Sequence, residues 1–446
     1  MKQNITLIGA GLVGSLLSIY LKKRGHEVTV YERRPDLRTN RMSAGKSINL
    51  ALSDRGWRGL EGVGIADDIR KVAIAMKGRM IHNLDGRVVF QPYGKEGQAI
   101  YSVSRGGLNC VLMDLAEKHG TKIHFGERCT HLDLQKNEAY FENFDTKKTT
   151  AVTADRFFAT DGAFSAGRLQ LQLSTDRFDY QQFYLQHGYK ELVIPPTASG
   201  DFAMDPNALH IWPRGQFMLI ALPNMDKTFT CTLFFPFEGE YSFASLDTNE
   251  KMLDFFNKIF PDAVPLMPTL EADYKNNPVS SLCIVKCWPW TFANKLALVG
   301  DAAHAIVPFY GQGMNCGFED CVELEKLMNR YGDDWDTVFR EYETLRKPDG
   351  DAIADLAVAN FVEMRDKTAD PKFLLQKKIE ARFSQQHPDK WIPLYTMVTF
   401  SPDTRYSTAL REGQRQEAIM QKIMAMPGIE EKWDSEEVEQ AILKMI

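Results

Sequence analysis

Three glycines near the N-terminus have the spacing of a nucleotide-binding turn. Gly9, Gly11 and Gly14 form a GxGxxG run between an apolar stretch and a helical pattern. In such a run the first glycine allows a tight turn, the second lets the backbone approach a pyrophosphate, and the third lets helix and strand pack closely. Glu32 follows the next apolar stretch, where its carboxylate can accept hydrogen bonds from an adenosine ribose. The run predicts dinucleotide binding but does not distinguish FAD from NAD.

A second glycine-rich segment, residues 298–320, resolves that choice. Asp301 ends an apolar stretch, and a helix is predicted to begin near Gly313. Asp301 can hold the ribityl hydroxyls of a flavin, and the backbone N–H groups of Met314 and Asn315 can stabilise negative charge on its N1–C2=O side. The alternative is a structural loop in which a buried aspartate caps a helix. Together with the N-terminal run, this segment favours FAD, bound without a covalent link.

Asp161-Gly162 forms a third motif, directly after the predicted strand 156–159. Taken alone, it fits a turn and a helix cap. The three motifs together resemble the single-component flavoprotein aromatic hydroxylases of the p-hydroxybenzoate hydroxylase type. In that family the Asp-Gly pair serves both FAD and NADPH without a second dinucleotide-binding fold, and this sequence has no second fingerprint. Gly167 departs from the family, which more often has an apolar residue there.

Several separated segments resemble one branch of these hydroxylases, the kynurenine 3-monooxygenase family. The segments are 45–52, 77–80, 91–94, 187–192, 207–213 and 395–400. The resemblance implies a binding site for an aromatic amino acid beside FAD. The residues that it places against this substrate are Arg79, Tyr93, Phe234, Pro308, Phe309, Tyr310, Asn360 and Tyr395. Arg79 and Tyr93 are expected to bind the substrate carboxylate, and Arg105 is expected to contact FAD together with Asp301.

Elementary chemistry supports part of this set independently. A substrate carboxylate beside a flavin needs a fixed cation, and the guanidinium of Arg79 can form a bidentate pair with it. The alternatives are a surface or structural role for Arg79, and core positions for Tyr93 and Tyr395. Family members carry His or Phe where this chain has Tyr310, and we do not expect a general base there.

The resemblance also implies a reaction. The enzyme would hydroxylate L-kynurenine to 3-hydroxy-L-kynurenine with NADPH and O₂ through a C(4a)-hydroperoxyflavin, a step of tryptophan degradation on the route to quinolinate and NAD. The amino group of the substrate already donates electrons to its ring, so we expect neither an acid–base residue nor a metal ion. The cofactor carries the chemistry, and the protein contributes orientation and exclusion of water.

Other functions stay open on the sequence alone. The substrate can be another aromatic amino acid or an aniline-type compound, and the chain can be a non-enzymatic FAD-binding redox module. A flavin-dependent halogenase fits poorly, because Trp288-Pro-Trp290 is followed by Thr-Phe-Ala and not by the segment typical of that family.

The elements that must position these residues follow from periodicity. Strand 5–8, a helix that ends near Gly25 and strand 28–31 form a strand–helix–strand unit. Alternating apolar stretches between about 178 and 285 favour an antiparallel sheet, and the last part of the chain reads as amphipathic helices. We therefore predict an α/β fold, α+β overall. A Rossmann-like FAD-binding domain (1–75, 101–177 and 286–370) carries an inserted antiparallel-sheet substrate domain (76–100 and 178–285) and a C-terminal helical region (371–446).

Composition limits the partners and the location. The 446 residues carry a net charge of −6, without the basic face of a nucleic-acid-binding protein. The 7 cysteines fit no usual zinc spacing and are expected to be free thiols. The tail 430–439 is strongly charged, and the final apolar segment is too short to span a membrane. We expect a soluble cytoplasmic enzyme whose C-terminal helices close the active site; the oligomeric state is not determined by the sequence.

Overall fold

The computed structural model describes residues 2–39, 48–94, 97–364 and 370–446. Its centre is a six-stranded sheet in which every neighbouring pair is parallel except the pair at one edge. In spatial order the strands are β18 (Thr291–Phe292), β19 (Leu296–Leu298), β12 (Arg156–Ala159), β1 (Asn4–Ile8), β2 (Glu27–Glu32) and β8 (Lys122–Phe125). The middle strands are nearly continuous runs of buried apolar residues, because helices pack against the sheet.

The helices beside this sheet include the one that follows the glycine run. They are α1 (Leu12–Lys23), α4 (Arg105–Lys118), α9 (Gly313–Tyr331) and α10 (Trp335–Val362). α1 buries the face that contains Leu16, Leu17 and Leu21. Arg24 caps its C-terminal end, and the left-handed Gly25 then turns the chain toward β2. This strand–helix–strand unit confirms the predicted Rossmann-like fold.

A second, seven-stranded sheet carries the other half of the site. In spatial order its strands are β17 (Ser280–Trp288), β13 (Asp179–Ile194), β16 (Phe229–Pro236), β15 (Met218–Pro223), β14 (Ala208–Pro213), β5 (Gly78–His82) and β6 (Val88–Pro92). All neighbours are antiparallel except β14 and β5. The sheet joins strands from both segments that the sequence assigned to the substrate domain. β17 continues to Trp288, past the expected boundary at 285, and the domain boundaries as a whole stay a prediction.

Smaller elements complete the fold. One three-stranded sheet contains β11 (Thr149–Thr153), β10 (Glu138–Asn143) and β9 (Glu127–Asp133). Another contains β3 (Asn49–Leu52), β7 (Ile100–Ser104) and β4 (Ile74–Met76). The shorter helices before the C-terminal region are α2 (Asp54–Gly62), α3 (Ala66–Arg70), α5 (Ala166–Leu173), α6 (Asn249–Ile259), α7 (Leu270–Asn276) and α8 (Asp301–His304). Two 3₁₀ turns lie at Val264–Leu266 and Pro308–Tyr310.

The C-terminal region is helical, as predicted. Its helices are α11 (Pro371–Gln386), α12 (Leu394–Thr399), α13 (Tyr406–Met424), α14 (Ile429–Lys432) and α15 (Glu436–Leu443). Part of the region has a small apolar core of its own, which includes Phe383, Trp391 and Met420. Val398 and Tyr406, in contrast, belong to a core shared with α10 and the seven-stranded sheet. None of the described helices combines the length and apolar character needed to cross a membrane.

A buried cluster of charges joins α8, α9 and α10. The guanidinium of Arg346 lies 2.8 Å from Glu319 Oε2 and 2.7 Å from Asp320 Oδ1, and Asp320 Oδ2 lies 2.6 Å from His304 Nε2. Burial opposes the charge on Asp320, but His304 and Arg346 lower its pKa to about 2. His304, Cys316 and Asp320 come within 4.8 Å of one another, the spacing of a metal site. Because Arg346 already neutralises this group and lies 3.3 Å from Cys316 Sγ, we interpret the cluster as structural.

We predict that Arg346→Met lowers the free energy of unfolding by about 3–5 kcal/mol, because Glu319 and Asp320 would stay buried without their shared cation. Arg340→Met is the matched control, since Arg340 lies on the same helix with its side chain 65% exposed. Urea denaturation of both variants measures the difference. Equal free energies of unfolding would show that the cluster does not stabilise the fold.

Candidate active site

The three glycines of the N-terminal run are required for different reasons. A Cβ atom on Gly9, whose φ is +100°, would lie 2.8 Å from the carbonyl oxygen of Thr160, and one on Gly14 would lie 2.1 Å from that of Gly9. These contacts hold α1 against β1 and β12. A Cβ on Gly11, in contrast, would meet no atom within 4 Å. The backbone at Gly11 is therefore open on one side, as a pyrophosphate would require.

Glu32 is fixed beside this turn. Its Oε2 accepts a hydrogen bond from the Ala10 N–H at 2.9 Å, and its Oε1 accepts one from the Arg34 N–H at 2.9 Å. Each carboxylate oxygen keeps a second lone pair, so both can still accept a ribose hydroxyl. Arg105 is the first residue of α4 and has an exposed side chain. The position of Glu32 thus suits the predicted contact with adenosine ribose.

The Asp161-Gly162 motif is a helix cap in this structure. The Asp161 carboxylate accepts hydrogen bonds from Ser165 Oγ and from the N–H groups of Ala166 and Gly167 at the start of α5. Burial raises the pKa of Asp161, although these donors act in the opposite direction. The cap was the alternative that the sequence left open. Direct contacts of Asp161 with FAD or NADPH stay predictions.

The second glycine-rich segment brings a carboxylate and a helix terminus together. The Asp301 carboxylate accepts no hydrogen bond from the described part of the chain, and a Cβ on Gly313 would lie 4.0 Å from its Oδ1. Asn315 Nδ2 donates to the carbonyls of Ala51 and Gly311, and Asn315 Oδ1 accepts from the Ser53 N–H. The side chain of Asn315 therefore fixes the first turn of α9, and the backbone N–H groups there lack intrahelical partners. An available carboxylate, open backbone and a fixed helix N-terminus fit FAD.

A cation between aromatic rings occupies the other side of the site. The guanidinium carbon of Arg79 lies 4.6 Å from the centre of the Tyr395 ring and 5.6 Å from that of Tyr93. The Tyr93 and Tyr395 rings are stacked at 5.5 Å, and Tyr310 stacks on Tyr395 at 5.6 Å. Burial raises the pKa of Tyr310, so its phenol stays protonated at neutral pH and cannot act as a base.

Two buried polar atoms in this group lack a hydrogen-bond partner, although the Arg79 guanidinium interacts electrostatically with the Tyr93 and Tyr395 hydroxyls. Arg79 Nε and Tyr93 Oη are buried, yet neither makes a hydrogen bond within the described residues. No carboxylate of those residues forms an ion pair with Arg79. A buried donor without a partner costs about 1–3 kcal/mol, so buried polar atoms of this kind are uncommon unless a ligand or water forms the hydrogen bond. The arrangement is suited to an anion with acceptor oxygens, such as a carboxylate.

Aromatic residues form an apolar wall beside this cation. The Phe309 ring lies 4.8 Å from that of Phe234 and stacks at 4.0 Å on Phe361. Pro308 begins the 3₁₀ turn that carries Phe309. Asn360 Nδ2 donates to the Phe309 carbonyl at 2.7 Å, so this amide holds the turn in place. The placement of Asn360 against the substrate, which the resemblance implies, stays a prediction.

Comparison with known proteins identifies the family. The FAD binding domain family matches residues 2–214 and 288–357. A kynurenine 3-monooxygenase from Christiangramia forsetii is 51% identical over 445 residues, which are 100% of this chain and 99% of that protein. The enzyme of the same name from Anopheles gambiae is 44% identical, over 94% of this chain and 86% of its own. The chain belongs to the kynurenine 3-monooxygenase family. The resemblance and the FAD cofactor expected from the sequence are thereby confirmed.

Solved structures agree with the fold that this family implies. The tetrameric form of 2-methyl-3-hydroxypyridine-5-carboxylic acid oxygenase matches with a TM-score of 0.67 at 20% identity, over 86% of this chain and 98% of that one. A tetracycline destructase matches with a TM-score of 0.62 at 19% identity, over 84% and 94%. At these identities the likeness concerns the fold alone, and it confirms the predicted fold class.

The sequence analysis did not identify several residues of this candidate active site. Phe361 follows Asn360 directly, and its apolar helical position could have placed it in the wall. Gln312 accepts a hydrogen bond from Tyr406 Oη at 2.8 Å, and Arg55 lies under the Tyr406 ring. No motif signals either contact, because the partners are far apart in the chain. Residues 45–47 of the first resembling segment lie outside the described residues.

We predict that Gly11→Leu and Gly14→Ala fail in different ways. Gly11 has extended backbone angles and open space, so its variant should fold but retain less than about a tenth of the FAD, because the side chain blocks the pyrophosphate approach. Gly14→Ala should misfold, since its methyl group would collide with the Gly9 carbonyl directly after β1. The flavin absorbance per chain and the melting temperature of the apoprotein separate the two outcomes. Full flavin content in folded Gly11→Leu would contradict this assignment.

Proposed function

We propose that this protein hydroxylates L-kynurenine to 3-hydroxy-L-kynurenine. One molecule each of kynurenine, NADPH and O₂, with a proton, gives hydroxykynurenine, NADP⁺ and water. The observation that carries the proposal is the pair Arg79 and Tyr93, whose buried Nε and hydroxyl lack hydrogen-bond partners in the described residues beside an apolar aromatic wall. An aromatic amino acid has the matching shape and charge, and relatives that match the whole chain are named kynurenine 3-monooxygenase.

The carboxylate of the substrate would bind between Arg79 and Tyr93. A guanidinium offers two parallel donors to a carboxylate, and the Tyr93 hydroxyl adds a third. The rings of Tyr93 and Tyr395 hold the guanidinium in one orientation while shielding it from water. The substrate ring would then extend toward Phe234 and Phe309, where an apolar surface can cover it.

The cofactor would lie between the two glycine-rich segments. The residues that would hold it are Gly9, Gly11, Gly14, Glu32, Arg105, Asp161, Asp301 and the turn Gly313, Met314 and Asn315. When bound, FAD supplies the transfer of reducing equivalents from NADPH and the activation of O₂. The chain itself orients the substrate, excludes water and keeps the Tyr310 phenol protonated. The ring amino group of kynurenine supplies the electron density, so no catalytic base is required.

The decisive experiment measures NADPH oxidation by the FAD-loaded protein with and without L-kynurenine. We expect kynurenine to stimulate oxidation and 3-hydroxykynurenine to form in proportion to the NADPH consumed. Anthranilate-type amines and other aromatic amino acids test the alternative substrates. FAD binding without any substrate-stimulated oxidation would favour a redox module. The cytoplasmic location expected from the sequence stays a prediction, as does any statement on oligomeric state.

We predict that Arg79→Ala weakens kynurenine binding by roughly 2–5 kcal/mol, because a buried carboxylate would lose its charged partner. FAD content should stay normal. Arg87→Ala is the matched control, since Arg87 lies on the neighbouring turn with its side chain 80% exposed and paired to Asp85. Titration of the flavin absorbance with kynurenine gives both dissociation constants. An unchanged affinity in Arg79→Ala would exclude this residue as the anchor.

A further inference from the structure

The guanidinium of Arg55 is buried among backbone carbonyls. Arg55 lies on α2 with a side chain that is 0% exposed, and it forms an ion pair with Glu319 at 2.6 Å. Its Nε donates to the Val398 carbonyl at 2.7 Å, and its Nη2 donates to those of Met397, Ser401 and Thr404. One side chain of the FAD-binding half therefore binds four carbonyls of the segment 397–404.

These carbonyls belong to the end of α12 and to the loop that follows it. The last carbonyls of a helix have no intrahelical partner, and a cation is favourable there. α12 has only six residues, so this cation replaces much of the stabilisation that a longer helix would provide. Tyr395 lies on the first turn of α12, and its ring contacts the Arg79 guanidinium. Arg55 and Tyr395 therefore lie at opposite ends of the same short helix.

The other side of Arg55 is anchored to the first turns of α9. Asn315 Oδ1 accepts a hydrogen bond from the Ser53 N–H, and a Cβ on Gly56 would lie 2.3 Å from that oxygen, so α2 and α9 are in close contact. Arg55 also lies 4.0 Å from the centre of the Tyr406 ring, whose hydroxyl donates to Gln312 just before α9. The same guanidinium thus spans from the flavin-side helix to the helix that carries Tyr395.

We propose that Arg55 is a positioning residue that sets Tyr395 against Arg79 and thereby the selectivity for a substrate with an α-carboxylate. This inference rests on the proposed function. Arg55 does not touch the substrate; it acts through α12. If Tyr395 shifts, the guanidinium of Arg79 loses one of its two flanking rings, and the anchor for the carboxylate is less well oriented. The interactions with the rest of the substrate depend on Phe234 and Phe309, which Arg55 does not contact.

The test compares two ligands on the FAD-loaded protein. Flavin absorbance titrations give the dissociation constants of L-kynurenine and of kynuramine, which lacks the carboxyl group. Arg55→Lys keeps the charge but cannot reach four carbonyls. We expect it to weaken kynurenine binding on the order of tenfold, in line with the cost of a small misplacement, and to change kynuramine binding less than about twofold. A general loss of stability would weaken both ligands alike.

Arg58→Lys is the matched control, because Arg58 lies one turn further along α2 and reaches the same loop at Pro402 from a partly exposed position. It should leave both affinities unchanged. If Arg55→Lys loses FAD, Glu319→Gln becomes the decisive variant, because it removes the charge that orients Arg55. In this variant too, the affinity for L-kynurenine should fall relative to the affinity for kynuramine. An unchanged ratio in the decisive variant overturns the inference. Failure of the wild-type protein to hydroxylate kynurenine would instead overturn the proposed function.

Discussion

Glu319 and Asp320 place two carboxylates side by side in the buried middle of α9, and the rest of the structure is arranged around their neutralisation. Arg55 and Arg346 bind Glu319 from opposite sides, and Arg346 and His304 bind Asp320. Each carboxylate has two basic partners and Arg346 binds both carboxylates, so the four elements that carry these groups are held together through α9. Because α9 begins at the proposed flavin site, the same ion pairs fix the helix whose N-terminus faces the cofactor.

The hydrogen-bond partners of Arg79 differ from those of the other buried arginines. The buried guanidiniums of Arg55 and Arg346 are surrounded by carboxylates and carbonyls, and Arg168 donates to the carbonyls of Ala163 and Ala302. Arg79, in contrast, has aromatic rings beside it and an unpartnered Nε. Arg156 Nε and Arg214 Nη2 also lack a hydrogen-bond partner within the described residues, but each of those guanidiniums donates elsewhere to a backbone carbonyl. Under the proposed function, the substrate carboxylate would supply the acceptor that Arg79 Nε lacks within the described residues.

The sequence predicted the parts of this site that depend on local pattern. The glycine run, Glu32 and the turn at Gly313 are short motifs whose geometry follows from neighbouring residues. The structure shows the helix starts that they predict, and their contacts with a cofactor stay predictions. Arg79, Tyr93 and Tyr395 were found only through resemblance, because β5 and α12 meet through tertiary packing that no periodicity encodes. Asp161 shows the opposite case: its motif was visible, yet its carboxylate is a helix cap here. No sequence motif identified Arg55, since its acceptors are backbone carbonyls of residues 397–404, and every residue carries a backbone carbonyl whatever its type.

The same contacts determine whether the C-terminal helices can be a separate module. α11, α13 and α15 share a core of their own, which by itself would permit an independent unit. α12 and the loop that follows it, however, supply the carbonyls for Arg55, and the start of α13 supplies the ring of Tyr406; the side chains of Arg55 and Tyr406 are both fully buried. Truncation before α12 would therefore leave a guanidinium in the FAD-binding half without most of its acceptors, at a cost of about 3–5 kcal/mol. Loss of FAD in such a truncation would reflect this buried cation and not the absence of a lid. α12 would cover the substrate and also stabilises the fold, and only changes at Tyr395 separate these two roles. The Tyr395 ring contacts Arg79 and takes no part in the Arg55 contacts.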